Sequence, residues 1–258
     1  MGPQAYEDLS MNHFNTIYRL LLICSLAVLN SACNTLSKTD DPRAQISNDP
    51  FVSFNRNVYS FNNTADKAVL KPITQVYHYV VPDPAERSVG RFFNNLGEPL
   101  NIVNNLLQGK VDGALNSTYR FVVNSTVGVL GLFDVAASYQ VARKPEDFGQ
   151  TLATWGVKPG PYLMVPLYGP TNLRDGFSQA ISFSTYFPIN DIAETTTSRV
   201  LLNGLSIVDV RAGLLNTDAL LERQLDPYLF LKEVYEQTRL TSIYDNNPPK
   251  NQDDDFDF

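Results

Sequence analysis

Apolar residues recur at Phe51, Phe54, Val58, Phe61, Ala65 and Ala68, the spacing of one helical face, with Asn55, Arg56, Asn57, Asn62 and Asn63 on the other. Asp49-Pro50 marks the start: Asp caps a helix, and Pro loses no hydrogen bond in the first turn. Pro72 interrupts the pattern. A second start, Asp83-Pro84, precedes Val89, Phe92, Phe93 and Leu96, with Glu86 placed to complete a capping box. Glu98-Pro99 precedes Leu100, Val103, Leu106 and Leu107, and Gly109 is placed to end that helix. Residues 110–126 read as a further helix with Leu115, Tyr119, Val122 and Val123 inward. Leu201, Leu205, Val208, Ala212 and Leu215 form another stripe. Asp226-Pro227 opens a last helix through Ile243, with Leu231, Val234 and Tyr235 on one side. No useful period-2 run appears, so the pattern predicts an all-α fold with irregular Gly/Pro-rich connectors.

Three stretches depart from ordinary helices. Residues 121–133 (FVVNSTVGVLGLF), 159–173 (PGPYLMVPLYGPTNL) and 176–190 (GFSQAISFSTYFPIN) carry no charge; between 159 and 190 only Arg174 and Asp175 do. None holds 18 consecutive apolar residues, and the prolines exclude a straight spanning helix. They suit a body partly immersed in one leaflet and lined by its own polar groups.

The N-terminus has a different pattern. After a polar stretch, Met11 opens MNHFNTIYRLLLICSLAVLNSAC, with Arg19 before an uncharged run. Its ten-residue apolar core fits a signal peptide and is too short to span a bilayer. Met11 is therefore the expected start. Ser31-Ala32-Cys33 resembles the end of a bacterial lipoprotein signal, although Asn30 stands where Leu or Val is usual. Cys33 is then the expected lipid anchor. The expected organisation is an extension and signal over 1–32, a lipidated tether over 33–48, a helical domain over 49–244 and an acidic disordered tail over 245–258. That tail holds five Asp and one Lys.

Composition narrows the chemistry. The 258 residues carry 20 Lys+Arg against 27 Asp+Glu, a net charge of −7 that disfavours nucleic acid. Charged residues make up 18%, below the roughly 25% of soluble domains, and 23 asparagines help to fill the gap. Two histidines and two cysteines provide no metal-site spacing. Gly176-Phe177-Ser178-Gln179-Ala180 resembles a loosened nucleophile elbow, but no histidine follows Ser178, so no enzyme, cofactor or metal is expected. His78 reads as structural or interfacial. Asp66-Lys67, Asp83 with Glu86, and Glu146-Asp147 read as caps and surface charge.

An ordered set of strings resembles the MlaA (VacJ) family: Asp49-Pro50-Phe51, Phe54-Asn55-Arg56, Tyr59-Ser60-Phe61-Asn62, Asn94-Asn95-Leu96-Gly97-Glu98-Pro99, Leu107-Gln108-Gly109 and Arg120-Phe121. Asn124 to Gly128, Gly131 to Ala136, Phe148 to Leu152, Trp155-Gly156-Val157, Gly160-Pro161-Tyr162, Leu173-Arg174-Asp175 and Asp226-Pro227-Tyr228 continue it. The resemblance implies a compact ring-like helical body partly embedded in one membrane leaflet, in an outer-membrane lipoprotein facing the periplasm. It implies removal of mislocalised phospholipid from the outer leaflet and transfer to a periplasmic phospholipid carrier protein, together with a trimeric porin as partner. Phe121, Asn124, Leu132, Tyr162, Tyr168, Arg174, Asp175 and Phe183 are the expected phospholipid-path or membrane-contact residues. A structural or adaptor lipoprotein that binds porins without a lipid path is the alternative.

Overall fold

The structure, a computed structural model, describes residues 49–185 and 195–249, without the side chains of 183–185. Cys33, the signal, the tether and residues 250–258 of the tail lie outside the described residues. The body is mostly helical, as the pattern predicts. Helix α1 (Val52–Ala65) runs through a π-helical turn (Asp66–Leu70) into α2 (Lys71–Val80). Pro72 therefore does not break the helix. The Lys71 N–H donates to the Asp66 carbonyl, so the widened turn closes at the residue before Pro72, which has no N–H to offer.

Helix α3 (Asp83–Leu107) spans 25 residues. Its cap is Pro82 rather than Asp83, and Glu98-Pro99 lies within it, not at a new start. Glu86 forms no capping box; its carboxylate meets His78 Nδ1 at 2.8 Å. Gly109 ends the helix as expected, with φ +74°. Helix α4 (Val111–Thr126) packs against α3, and a Cβ on Gly113 would stand 1.8 Å from Asn105 Oδ1. Short helices α5 (Val135–Ser138) and α6 (Phe148–Thr154) follow. The proline-rich stretch then forms a hairpin that the alternation of residues did not reveal. Strand β1 (Tyr162–Val165) pairs antiparallel with β2 (Gly169–Asn172), in register from Tyr162 opposite Asn172 to Val165 opposite Gly169. Helix α7 (Leu173–Thr185) takes up the start of the third uncharged stretch. Helix α8 (Thr196–Gly213), a 3-10 turn (Leu215–Thr217), α9 (Asp218–Glu222) and α10 (Pro227–Ile243) complete the body, and Asp226 caps α10 as predicted.

Helices α1, α3 and α4 are oriented opposite to the expectation for water-facing proteins, whereas the α8 stripe turns Leu205, Val208 and Ala212 inward. Leu115 is 63% exposed, and Tyr119 and Val122 are exposed too. The buried face of α4 holds Gly113, Ala114, Ser117, Arg120 and Asn124. Helix α3 buries Asn95, Glu98, Asn101, Asn104 and Asn105 while Val103, Leu106 and Leu107 face out. On α1, Asn55 is 0% exposed and Phe54 and Phe61 are exposed. Among the described residues six apolar side chains are buried against nineteen polar or charged ones, so polar pairing rather than an oily core fixes the interior. Amphipathic spacing identifies two faces but not which one the chain covers, and that choice was made for an aqueous exterior.

The small apolar core is Tyr162, Met164 and Tyr228, flanked by Val58, Tyr59, Leu231 and Tyr235. Asparagines on α1 complete the free edge of the hairpin. Asn55 Nδ2 donates to the Tyr162 carbonyl (3.1 Å) and its Oδ1 accepts from the Met164 N–H (2.8 Å). Asn62 repeats this with the Val165 carbonyl (3.0 Å) and the Leu167 N–H (2.8 Å). Seven helical residues rise about 10.5 Å and three strand residues about 10 Å, so two side-chain amides two turns apart match the strand repeat. The second also holds Leu167, the hairpin tip, at φ +61°.

Asn55→Ala leaves a buried peptide N–H and C=O without partners and should cost about 2–4 kcal/mol. Asn62→Ala, nearer the exposed tip, should cost about 1 kcal/mol because water can replace its amide. Denaturant unfolding of both variants in detergent measures the difference; equal losses would show that the two amides do not differ in burial.

A polar interior behind apolar faces

Three polar clusters hold the interior. In the first, Glu98 on α3 faces two cations: Arg120 Nε (3.4 Å) and Arg143 Nε (3.3 Å). Asn101 Nδ2 donates to its other oxygen at 2.9 Å. Arg120 also donates to the Val141 carbonyl (2.5 Å) and to Asp134 (2.8 Å). Burial alone would raise the Asp134 carboxyl; hydrogen bonds from Arg120 and Asn124 outweigh it and hold the group below its usual range. Asp134 in turn caps α5 by accepting from the Ala137 N–H, and Asn124 Oδ1 accepts from the Ala136 N–H.

This cluster supports the turn after α4. Val129, Leu130 and Gly131 all have positive φ, at 53°, 59° and 93°. A β-branched residue in that region is strained. The strain is held by Asn95 Nδ2 on the Leu130 carbonyl, Gly131 N–H on the Asn124 carbonyl (2.7 Å) and Phe133 N–H on the Gly128 carbonyl (2.9 Å). The product is a rigid uncharged turn that exposes Val127, Val129, Leu130, Leu132 and Phe133.

The second cluster centres on Asp175. Arg174 Nε (2.9 Å), Arg239 Nε (2.7 Å), Tyr235 OH (2.8 Å) and Asn172 Nδ2 (2.7 Å) all donate to its carboxylate. Arg239 also forks onto Asp147, which caps α6 through the Gln150 N–H. Burial would raise both carboxyls, but Arg174 and Arg239 at Asp175, and Arg239 at Asp147, hold them below the usual range. A Cβ on Gly149 would fall 2.4 Å from both Arg239 Nη2 and Asp175 Oδ1, so α6 can approach the cluster only with glycine there. The third joins Glu146 to Gln108 and Lys110, and Lys110 also reaches Asp245 (2.7 Å). Asp245, expected to begin a free tail, thus closes onto the body.

The expected path residues therefore divide. Leu132 and Tyr168 are exposed and Phe121 is half-buried. Asn124, Arg174 and Asp175 are buried in the polar clusters, where their charges and amides are already matched. Tyr162 is a core side chain and touches no surface. The side chain of Phe183 lies outside the described residues. Glu146 is buried in the network rather than surface charge, Asp147 is part-exposed but ion-paired to Arg239, and Asp66 pairs with Arg211 at 2.8 Å. Ser178 is buried and its Oγ donates to the Asp175 carbonyl (2.9 Å), which makes it a helix-packing hydroxyl. Glu98, Arg143, Tyr235 and Arg239 were not singled out. For Glu98 the sequence holds a local trace, the polar period Asn95, Glu98, Asn101, Asn105 along α3.

The profile of the MlaA lipoprotein family matches residues 47–242. The intermembrane phospholipid transport system lipoprotein MlaA of Escherichia coli (strain K12) is 35% identical over 200 residues, covering 73% of this chain and 76% of that one. The protein of the same name from Haemophilus influenzae is 30% identical over 227 residues, covering 87% and 89%. An uncharacterised protein of Rickettsia typhi is 36% identical over 198 residues, covering 76% and 78%. A solved structure from work on the structural basis for maintenance of bacterial outer membrane lipid asymmetry superposes with a TM-score of 0.65 at 33% identity, covering 78% of this chain and all of that one.

The lowered carboxyls set an acid limit. A group whose folded pKa lies below its unfolded one stabilises the fold above the unfolded value and loses that effect as pH falls through the folded one. Asp134, Asp147 and Asp175 should therefore destabilise the protein progressively below about pH 4, starting near their ordinary 3.8. Glu146 and Glu236, raised chiefly by burial, act in the opposite sense above 4.5. Arg239→Met leaves the buried Asp175 under-compensated and the part-exposed Asp147 without its cation, and should cost about 3 kcal/mol at pH 7. Its stability should then rise more steeply on mild acidification than the parent's, in which only the raised carboxyls such as Glu146 and Glu236 contribute to a rise. Melting temperatures of both forms from pH 7 to 3 test the sign.

Proposed function

The chain belongs to the MlaA lipoprotein family, and from that premise we propose that it is a lipid-anchored outer-membrane protein that moves phospholipid between the outer membrane and the periplasm. The observation that carries this reading is the inversion of the helices, with amides and ion pairs inside and Leu, Val, Phe and Tyr outside. In water each Å² of that exposed apolar surface would cost about 25 cal/mol; against acyl chains it costs little. No described helix is long and apolar enough to cross a membrane. The body is therefore read as lying in the periplasm-facing leaflet, held by acylated Cys33. Stripes such as Val69, Ile73, Val76 and Val80 on the first helical arm and Val200, Ile207 and Val210 on α8 face the lipid.

A phospholipid has a charged head and two apolar tails, and its passage requires both surfaces at once. The polar interior supplies dipoles for the head while the exposed turn at 127–133 and the hairpin tip at Leu167 and Tyr168 meet the tails. In this reading the fixed clusters keep the two surfaces apart and no bond in the lipid is broken, so the protein is a transporter component and not an enzyme. A trimeric porin is the proposed neighbour in the membrane and a periplasmic carrier the proposed acceptor of the lipid.

Trp155 is the only tryptophan, is 54% exposed, and donates its Nε1–H to the Leu107 carbonyl, which turns the ring outward. Its emission should shift to shorter wavelength in phosphatidylglycerol vesicles and be quenched by brominated acyl chains. Unchanged emission would remove this face from the membrane. A strain lacking the protein should accumulate phospholipid in its outer leaflet; unaltered leaflet composition would defeat the transport reading.

A further inference from the structure

We propose that Arg143 binds the phosphodiester group of a glycerophospholipid, an assignment that rests on the transport reading and names the contact by which the head is recognised. Arg143 lies in the segment between α5 and α6, with its side chain 32% exposed. Among the described residues its one ion pair is with Glu98, 3.3 Å from Nε, and that contact makes no well-formed hydrogen bond: Nε is buried without an acceptor. Glu98 is already engaged by Arg120 and by Asn101. Arg120 has an acceptor at each of its three nitrogens, Nε on Glu98, Nη1 on the Val141 carbonyl and Nη2 on Asp134. Arg143 is the opposite case. Its Nη groups donate to nothing among the described residues, and burial works against its charge.

Two features leave the group accessible to a ligand. A Cβ at Gly97 would stand 3.6 Å from Nη2, so any larger side chain there would begin to cover the guanidinium. Lys144, the next residue, is exposed and adds a second positive charge. The planar fork of a guanidinium matches two phosphate oxygens, and charge-assisted bonds of this kind are the strong ones. The setting selects for an amphipath. Asn95, one turn before Glu98 on the same face of α3, holds the Leu130 carbonyl of the strained turn whose Leu130, Leu132 and Phe133 are exposed. One rigid helix thus carries the support for a cation and the support for an apolar surface about one turn apart, roughly 5 Å along its axis.

The test uses the full chain in detergent and measures binding of dioleoyl phosphatidylglycerol, dioleoylglycerol and sn-glycerol 3-phosphate by native mass spectrometry. Arg143→Gln should weaken phosphatidylglycerol roughly ten- to a hundredfold and leave dioleoylglycerol unchanged. Arg143→Lys should retain most of the affinity, and Lys158→Gln, an exposed lysine elsewhere, should match the parent. Equal phosphatidylglycerol binding by the parent and Arg143→Gln would overturn the assignment while leaving transport intact; failure of the parent to bind any lipid would count against the transport reading instead. Tight binding of glycerol phosphate alone would make this a site for soluble phosphate esters and reject the lipid assignment. If Arg143→Gln does not fold, the parent decides: phosphatidylglycerol, but not dioleoylglycerol, should protect Arg143 from phenylglyoxal. Modification that proceeds equally with both lipids would reject the site.

Discussion

A buried amide must find partners, and in this protein that requirement replaces the oily core as the source of order. An asparagine carries two donors and a two-lone-pair acceptor on one carbon stem, so each one placed inside fixes direction as well as distance. Apolar contacts tolerate small slips; an amide that loses its carbonyl does not. Asn55 and Asn62 make the first helix act as the missing neighbour of a strand. Asn95 and Asn124 do the same for a turn that no sequence preference would form. The ion clusters at Glu98 and Asp175 then join helices that share little apolar contact. Buried charges of this kind are weak evidence for stability in themselves. Their value here is positional: each arginine has a set of acceptors that only one arrangement of α3, α4, α6, α7 and α10 provides.

Much of this was legible from the chain. The helix starts at Asp226-Pro227 and the stop at Gly109 followed local capping chemistry, which does not depend on what surrounds the helix. The helical period is plain in α1 and α4 and in both halves of α3, although the sequence suggests two helices where α3 is one. What it could not supply was the sign of each face, because Leu115 and Asn124 have the same spacing whichever points inward. The hairpin escaped notice for a related reason. Four residues a side are too few for alternation to stand out, and its edge is satisfied by side chains 107 residues or so earlier in the chain rather than by a strand. Prolines that read as breaks were absorbed, Pro72 by the π turn and Pro99 inside α3.

The site residues followed the same division. Arg174 and Asp175 stand isolated within an uncharged stretch, where a lone charge demands compensation, and both are buried and paired. Their partners, Tyr235 and Arg239, lie some sixty residues away on α10 and left no local trace. Tyr162, which lies in uncharged surroundings, belongs to the apolar cluster of the described residues. An uncharged sequence is thus compatible with an exposed turn and with a protein core alike, and only the fold separates Leu132 from Tyr162.

The clasp at the N-terminal edge of the body has a consequence for the order of assembly. Asp49 accepts from the Phe51 N–H, from Asn55 and from Tyr228, and Arg56 forks onto Asp226. The Tyr228 contact closes a loop of 179 residues, against only a few for the α3–α4 pair. Short-range helical pairs form early because little chain entropy is lost in closing them, and distant contacts wait. Helix α1 is made first in sequence but completed last, its Asn55 without a strand edge until the hairpin exists and its Asp49 without a phenol until α10 arrives. A chain cut short before residue 228 would hold a first helix with its polar face open, a state that proteases and chaperones can distinguish from the finished protein.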